Sequence, residues 1–95
     1  MSQPVVGVIG CGIMGTGIVE VAATRGCEVV GVDADAEARE RAGANLRRSL
    51  EREATAGRLT EAVDNVVRRV TFTAELADLA PCDVVIEAVI EREKE

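Results

Sequence analysis

Ninety-five residues with a net charge of −6 leave room for one small domain and no second. At 47% hydrophobic and 29% charged, with nine glycines and two prolines, the composition is that of a globular domain. The one aromatic residue, Phe72, argues against base stacking, and the acidic balance argues against binding a phosphate backbone, so no nucleic-acid partner is expected. The chain contains no histidine, which removes imidazole acid–base chemistry and histidine metal ligands from these residues. Cys11, Cys27 and Cys82 stand far apart without a CxxC pair. They read as reduced, mostly buried thiols, and no metal site is expected. Residues 1–19 carry no charged side chain, yet they lack a positive leader, have Pro4 near their start and are interrupted by five glycines. No membrane segment is expected, and the expected compartment is the cytoplasm.

The first element is the apolar run Pro4 to Gly10, which suits a strand buried on both faces of a parallel sheet. Ile13 to Arg25 follows as a helix, with Met14, Ile18, Val21 and Ala22 at helical spacing and Gly26 as its stop. Cys27 to Asp33 is a second strand, and Asp35 is a helix cap. Residues 36–55 form a long helix with Ala38, Ala42, Leu46, Leu50 and Ala54 at steps of four; Gly57 ends it. Thr60 is expected to cap a shorter helix reaching about Arg69. A short strand Val70 to Thr73, one helical turn before Pro81, a strand Asp83 to Val89 and a charged stub from Ile90 to Glu95 complete the chain. Helices alternating with strands predict an α/β fold of the Rossmann type. The expected architecture is a doubly wound parallel sheet of order 3-2-1-4 that stops after its fourth strand.

The sharpest motif is Gly10-Cys11-Gly12-Ile13-Met14-Gly15, set between the first strand and the first helix. Gly10 permits the tight turn, Gly12 lets backbone approach a pyrophosphate, and Gly15 allows the helix to pack closely on the sheet. The free N–H groups and positive end of the helix dipole then face the phosphates. Asp33 ends the second strand, 23 residues after Gly10. A carboxylate there accepts hydrogen bonds from the adenosine ribose and repels a 2′-phosphate, which favours NAD over NADP as cofactor.

Val8-Ile-Gly-Cys-Gly-Ile-Met-Gly-Thr-Gly-Ile18 closely resembles the opening of the 3-hydroxyacyl-CoA dehydrogenase family. So do Val29 to Asp33, the charged helix containing Ser49-Leu50, Gly57-Arg-Leu-Thr60, and Asp83 to Val89 followed by Glu91. The resemblance implies that Gly10 to Gly15 hold the NAD pyrophosphate, that Asp33 holds the ribose, and that Glu91 contacts the cofactor past the fourth strand. Ser49 matches a serine that touches coenzyme A. A lysine that assists it falls near Ala56 here, which moves that contact, if retained, toward Arg58. The family's catalytic histidine, with its serine and glutamate, and the helical domain bearing an asparagine have no counterpart in these 95 residues. The chain is therefore expected to be the N-terminal part of an NAD-binding domain, 1–95, without catalytic residues of its own. The complete enzyme would be a homo-oligomer that oxidises an (S)-3-hydroxyacyl-CoA to a 3-oxoacyl-CoA. Two alternatives stand beside it: a catalytically silent nucleotide-binding or interaction module, which the absent histidine favours, and a dehydrogenase of another 3-hydroxy acid or a carrier-protein thioester. A third type, the 3-hydroxyisobutyrate or 6-phosphogluconate dehydrogenases, is disfavoured by Asp33 and by the long insertion at 36–69.

Overall fold

In the computed structural model, residues 3–89 are described. The chain runs β1 (Val5–Ile9), α1 (Ile13–Thr24), β2 (Glu28–Val32), α2 (Ala36–Thr55), α3 (Val63–Arg68), β3 (Val70–Thr73), a 3-10 turn (Leu76–Leu79) and β4 (Val84–Glu87). The four strands form one parallel sheet in the order β3-β2-β1-β4, as the sequence predicts. β1 is central, with Gly7 opposite both Val30 of β2 and Val85 of β4. Its middle residues are buried, which is why this run is apolar without alternation.

Asp35 caps α2 as expected, its side chain accepting from the Glu37 N–H at 3.0 Å. Ala38, Ala42, Leu46 and Leu50 bury the stripe of α2 in the core with Val8, Val19, Val29 and Val66; Ala54 is exposed. The face of α1 differs from expectation. Gly15, Thr16, Val19 and Ala23 are buried, whereas Met14 and Val21 are each 54% exposed. The small residues win because they let the helix axis approach the sheet. The stripe of Met14, Ile18, Val21 and Ala22 instead flanks a groove beside Val84 and Ile86.

α3 begins later than Thr60 allows. Its cap position is Ala62, whose methyl side chain has no acceptor for a cap bond, and Glu61 just before it forms an ion pair with Arg69. That pair holds the Glu61 carboxyl below its ordinary range, and Arg69 also donates to the Ala23 carbonyl at the end of α1. β4 is shorter than Asp83 to Val89. Its partner β1 ends at Ile9, opposite Glu87, and the last rung is the Ala88 N–H donating to the Ile9 carbonyl at 2.7 Å. At the other end Asp83 accepts from the Val5 N–H at 2.8 Å and anchors the strand. Glu91 and the charged stub lie outside the described residues.

Candidate cofactor site

The carboxyl ends of all four strands open into one cleft of about 430 Å³. Gly10, Cys11 and Gly12 line it from the β1 side, Asp33 and Ala34 from β2, Ala74 and Leu76 from beyond β3, and Ala88 and Val89 from beyond β4. It lies where the strand order reverses between β1 and its two neighbours, the position at which doubly wound sheets bind ligands. The walls are mainly apolar and, among the described residues, Asp33 is the one charged residue lining them, a pattern suited to an aromatic base beside a polar sugar.

Each glycine has a distinct physical role. Gly10 has φ +99°, a conformation that side-chain-bearing residues avoid, and turns the chain out of β1. A Cβ on Gly15 would run into the Gly10 carbonyl oxygen, so this contact between α1 and the loop requires glycine. Gly12, the cap residue of α1, has nothing within 4 Å of the place a Cβ would occupy, and its bare backbone is open to a ligand. α1 has no side-chain cap bond and no acidic residue in its first turn. Its leading N–H groups and dipole are thus uncompensated, which fits an anionic group.

Asp33 is tied into the loop it faces. Its Oδ2 accepts from the Cys11 N–H at 2.9 Å, and its Oδ1 accepts from the Asp35 N–H at 3.0 Å. A carboxylate has about four acceptor positions, so about two remain unused. Cys11 is buried, and its thiol is pushed up to about 11, first by burial, then by the charge of Asp33. It is a buried residue whose backbone N–H is taken by Asp33.

Of the expected cofactor residues, the structure brings Gly10, Cys11, Gly12 and Asp33 together at the cleft, with Gly15 packed behind. Ile13 and Met14 are absent from its lining and expose 90% and 54% of their surface, so their side chains form no part of its wall. Ser49 lies elsewhere, in the groove between α1 and α2 beside Ile13, Asn45, Arg48 and Arg52. Its hydroxyl donates to Glu20 Oε2 at 2.9 Å, a partnership the sequence reading did not anticipate. Arg58 pairs with Glu53 at 2.8 Å. Leu76, Ala74 and Ala88 were also missed, since short apolar residues after strands carry no distinguishing pattern.

A family model described as 3-hydroxyacyl-CoA dehydrogenase, NAD binding domain, matches residues 5–94. Over 90 residues the chain is 49% identical to a 3-hydroxybutyryl-CoA dehydrogenase of Mycobacterium tuberculosis, covering 93% of this chain and 31% of that protein. It is 42% identical over 88 residues to a probable 3-hydroxybutyryl-CoA dehydrogenase of Deinococcus radiodurans, covering 93% and 32%. The crystal structure of an (S)-3-hydroxybutyryl-CoA dehydrogenase from Ralstonia eutropha superposes with a TM-score of 0.88 at 35% identity, covering 97% of this chain and 33% of that one. The chain thus spans about a third of the length of the relatives it matches. It belongs to the 3-hydroxyacyl-CoA dehydrogenase family as part of the NAD-binding domain, and NAD is the cofactor of that domain.

Proposed function

We propose that this chain is the N-terminal part of the NAD-binding domain of an oxidoreductase that interconverts (S)-3-hydroxyacyl-CoA and 3-oxoacyl-CoA. In this reading the N–H groups from Gly10 to Gly15, including those of Ile13 and Met14, hold the pyrophosphate. Asp33 receives the adenosine ribose hydroxyls and turns away a 2′-phosphate by like charge. Bound NAD supplies the hydride acceptor for oxidation at C3 of the substrate. The observation that carries the reading is the Asp33 carboxylate, hydrogen-bonded to the loop N–H of Cys11 at the mouth of a strand-end cleft.

Ser49 contributes to the coenzyme A rim with its hydroxyl oriented by Glu20, which leaves the oxygen's lone pairs free to accept from the substrate. Glu91, as the resemblance implies, contacts the cofactor past β4. No histidine is present to take the hydroxyl proton, so residues 1–95 alone are inactive, and the catalytic base comes from the rest of the enzyme. The enzyme acts in the cytoplasm as a homo-oligomer on fatty-acid or butanoate-type acyl-CoA substrates. Among the described residues no helix is long and apolar enough to cross a membrane.

Amide NMR of the purified chain tests the assignment. NAD should shift the Gly10–Gly15 amides and Asp33, and coenzyme A should shift Ser49. Acetoacetyl-CoA should drive no NADH oxidation. NAD-dependent shifts confined to other surfaces would overturn the cofactor site, and turnover by the isolated chain would overturn its predicted inactivity.

A further inference from the structure

We propose that Arg39 is a second determinant of cofactor choice: its guanidinium, held beside Asp33, is the cation that a 2′-phosphate on the adenosine ribose would meet. The inference rests on the reading that Asp33 faces that ribose. Arg39 stands on the second turn of α2 and folds back toward the end of β2, where Nη1 donates to the Asp33 carbonyl at 2.8 Å. Among the described residues this is the one hydrogen bond of its guanidinium, and no ion pair includes it. A guanidinium has five N–H donors, so most of its capacity is unspent.

Among the described residues Asp33 and Arg39 form no ion pair. The Asp33 carboxylate is engaged by two backbone N–H groups, of Cys11 and Asp35, rather than by Arg39. Arg47, Arg58 and Arg69 are paired with Asp64, Glu53 and Glu61, whereas Arg39, which like them is not a lining residue of the cleft, bonds the backbone of the lining residue Asp33. The charge of Arg39 reaches the glycine loop, where it opposes the upward push on the Cys11 thiol. Two opposite charges therefore act on one corner of the ribose. Asp33 repels a 2′-phosphate while Arg39 attracts it, and the protein's rejection of NADP is the difference between them.

The sign of this arrangement is unusual and testable. Removing Arg39 should make the protein more selective for NAD, and removing Asp33 should expose a phosphate-binding cation already in place. Calorimetry on the purified chain with ADP-ribose and 2′-phospho-ADP-ribose probes the adenosine half alone. Arg39→Ala should weaken the 2′-phosphorylated probe about tenfold or more while leaving ADP-ribose nearly unchanged, as loss of one charge-assisted bond implies. Arg39→Lys should recover part of that loss. Asp33→Ala should admit the phosphorylated probe, and Asp33→Ala combined with Arg39→Ala should exclude it again. Melting of each ligand-free variant separates a folding defect from a binding one. Equal effects of Arg39→Ala on both probes, or a double variant that binds the phosphorylated probe as tightly as Asp33→Ala, would overturn the proposal. Unchanged discrimination in Asp33→Ala would overturn the ribose reading itself, and Arg39 with it.

Discussion

The backbone N–H of Cys11 donates to Oδ2 of Asp33 at 2.9 Å, joining the glycine loop after β1 to the end of β2 across 22 positions of sequence. The side chain assigned to the ribose thus also fixes the loop assigned to the pyrophosphate. Asp33→Asn can keep one of its two backbone tethers through the amide oxygen, whereas Asp33→Ala keeps neither. The expected loss of stability is about 1 kcal/mol for Asn and about 2 kcal/mol for Ala. Denaturant midpoints measure it, and equal midpoints for all three proteins would show that the tether is idle.

Gly12 and Gly15 should separate binding from folding. Gly12 has open space around the missing Cβ and an extended backbone that valine can adopt, so Gly12→Val should cost only about 1 kcal/mol. It should nonetheless abolish NAD binding by filling the place where the pyrophosphate meets backbone. Gly15→Ala drives a methyl into the Gly10 carbonyl and should cost about 3 kcal/mol. Circular-dichroism melts with NADH-fluorescence titrations distinguish the two. Normal NAD binding by Gly12→Val would make Gly12 merely a turn residue.

The Cys11 thiol sits at about 11, above the ordinary 9.0, chiefly because burial disfavours the thiolate. A folded-state value above the unfolded one means that the neutral thiol is favoured in the fold. Its contribution to stability is complete below pH 9 and is lost as pH rises toward 11. Cys11→Ser or Cys11→Ala should flatten that alkaline decline. Cys82 is raised less far and lies half-buried, so it should alkylate before Cys11 at pH 8. Mass-resolved labelling that found Cys11 the faster of the two would contradict this ordering.

β4 is the outer strand on its side of the sheet, and Val84 and Val85 are 48% and 47% exposed. An apolar strand edge of this kind templates pairing with another chain. The isolated chain should therefore sediment as a concentration-dependent oligomer, and Val85→Lys should shift it toward monomer. A wild-type monomer at every concentration would rule out association through this edge.

Much of this was readable from residue order. The sheet order follows from alternating elements and the handedness of crossovers, and Gly10, Cys11, Gly12 and Asp33 line one strand-end cleft. Asp35 was legible as a cap because its short carboxylate reaches the Glu37 N–H. The buried face of α1 was not. Gly15, Thr16 and Ala23 are buried by closeness of approach rather than by hydrophobicity, while the more apolar Met14 and Val21 face outward. The Glu61–Arg69 pair, just before the start of α3, joins residues eight positions apart and leaves no periodic trace. Arg39 was hidden for a related reason: its side chain turns back six positions to a backbone carbonyl, whereas its composition reads as one more charge on a solvated helix. Ile13 and Met14 belong to the motif by position, but their side chains lie outside the cleft.

The most direct measurement is the affinity of the purified chain for NAD and for NADP by calorimetry, before and after Asp33→Ala. NAD should bind at least about tenfold more tightly than NADP, the scale of one lost charge-assisted contact and one new repulsion. Asp33→Ala should narrow or remove that gap. Equal affinities in the unmutated protein, or a preference that survives Asp33→Ala unchanged, would contradict the assignment of Asp33 as the ribose-reading residue.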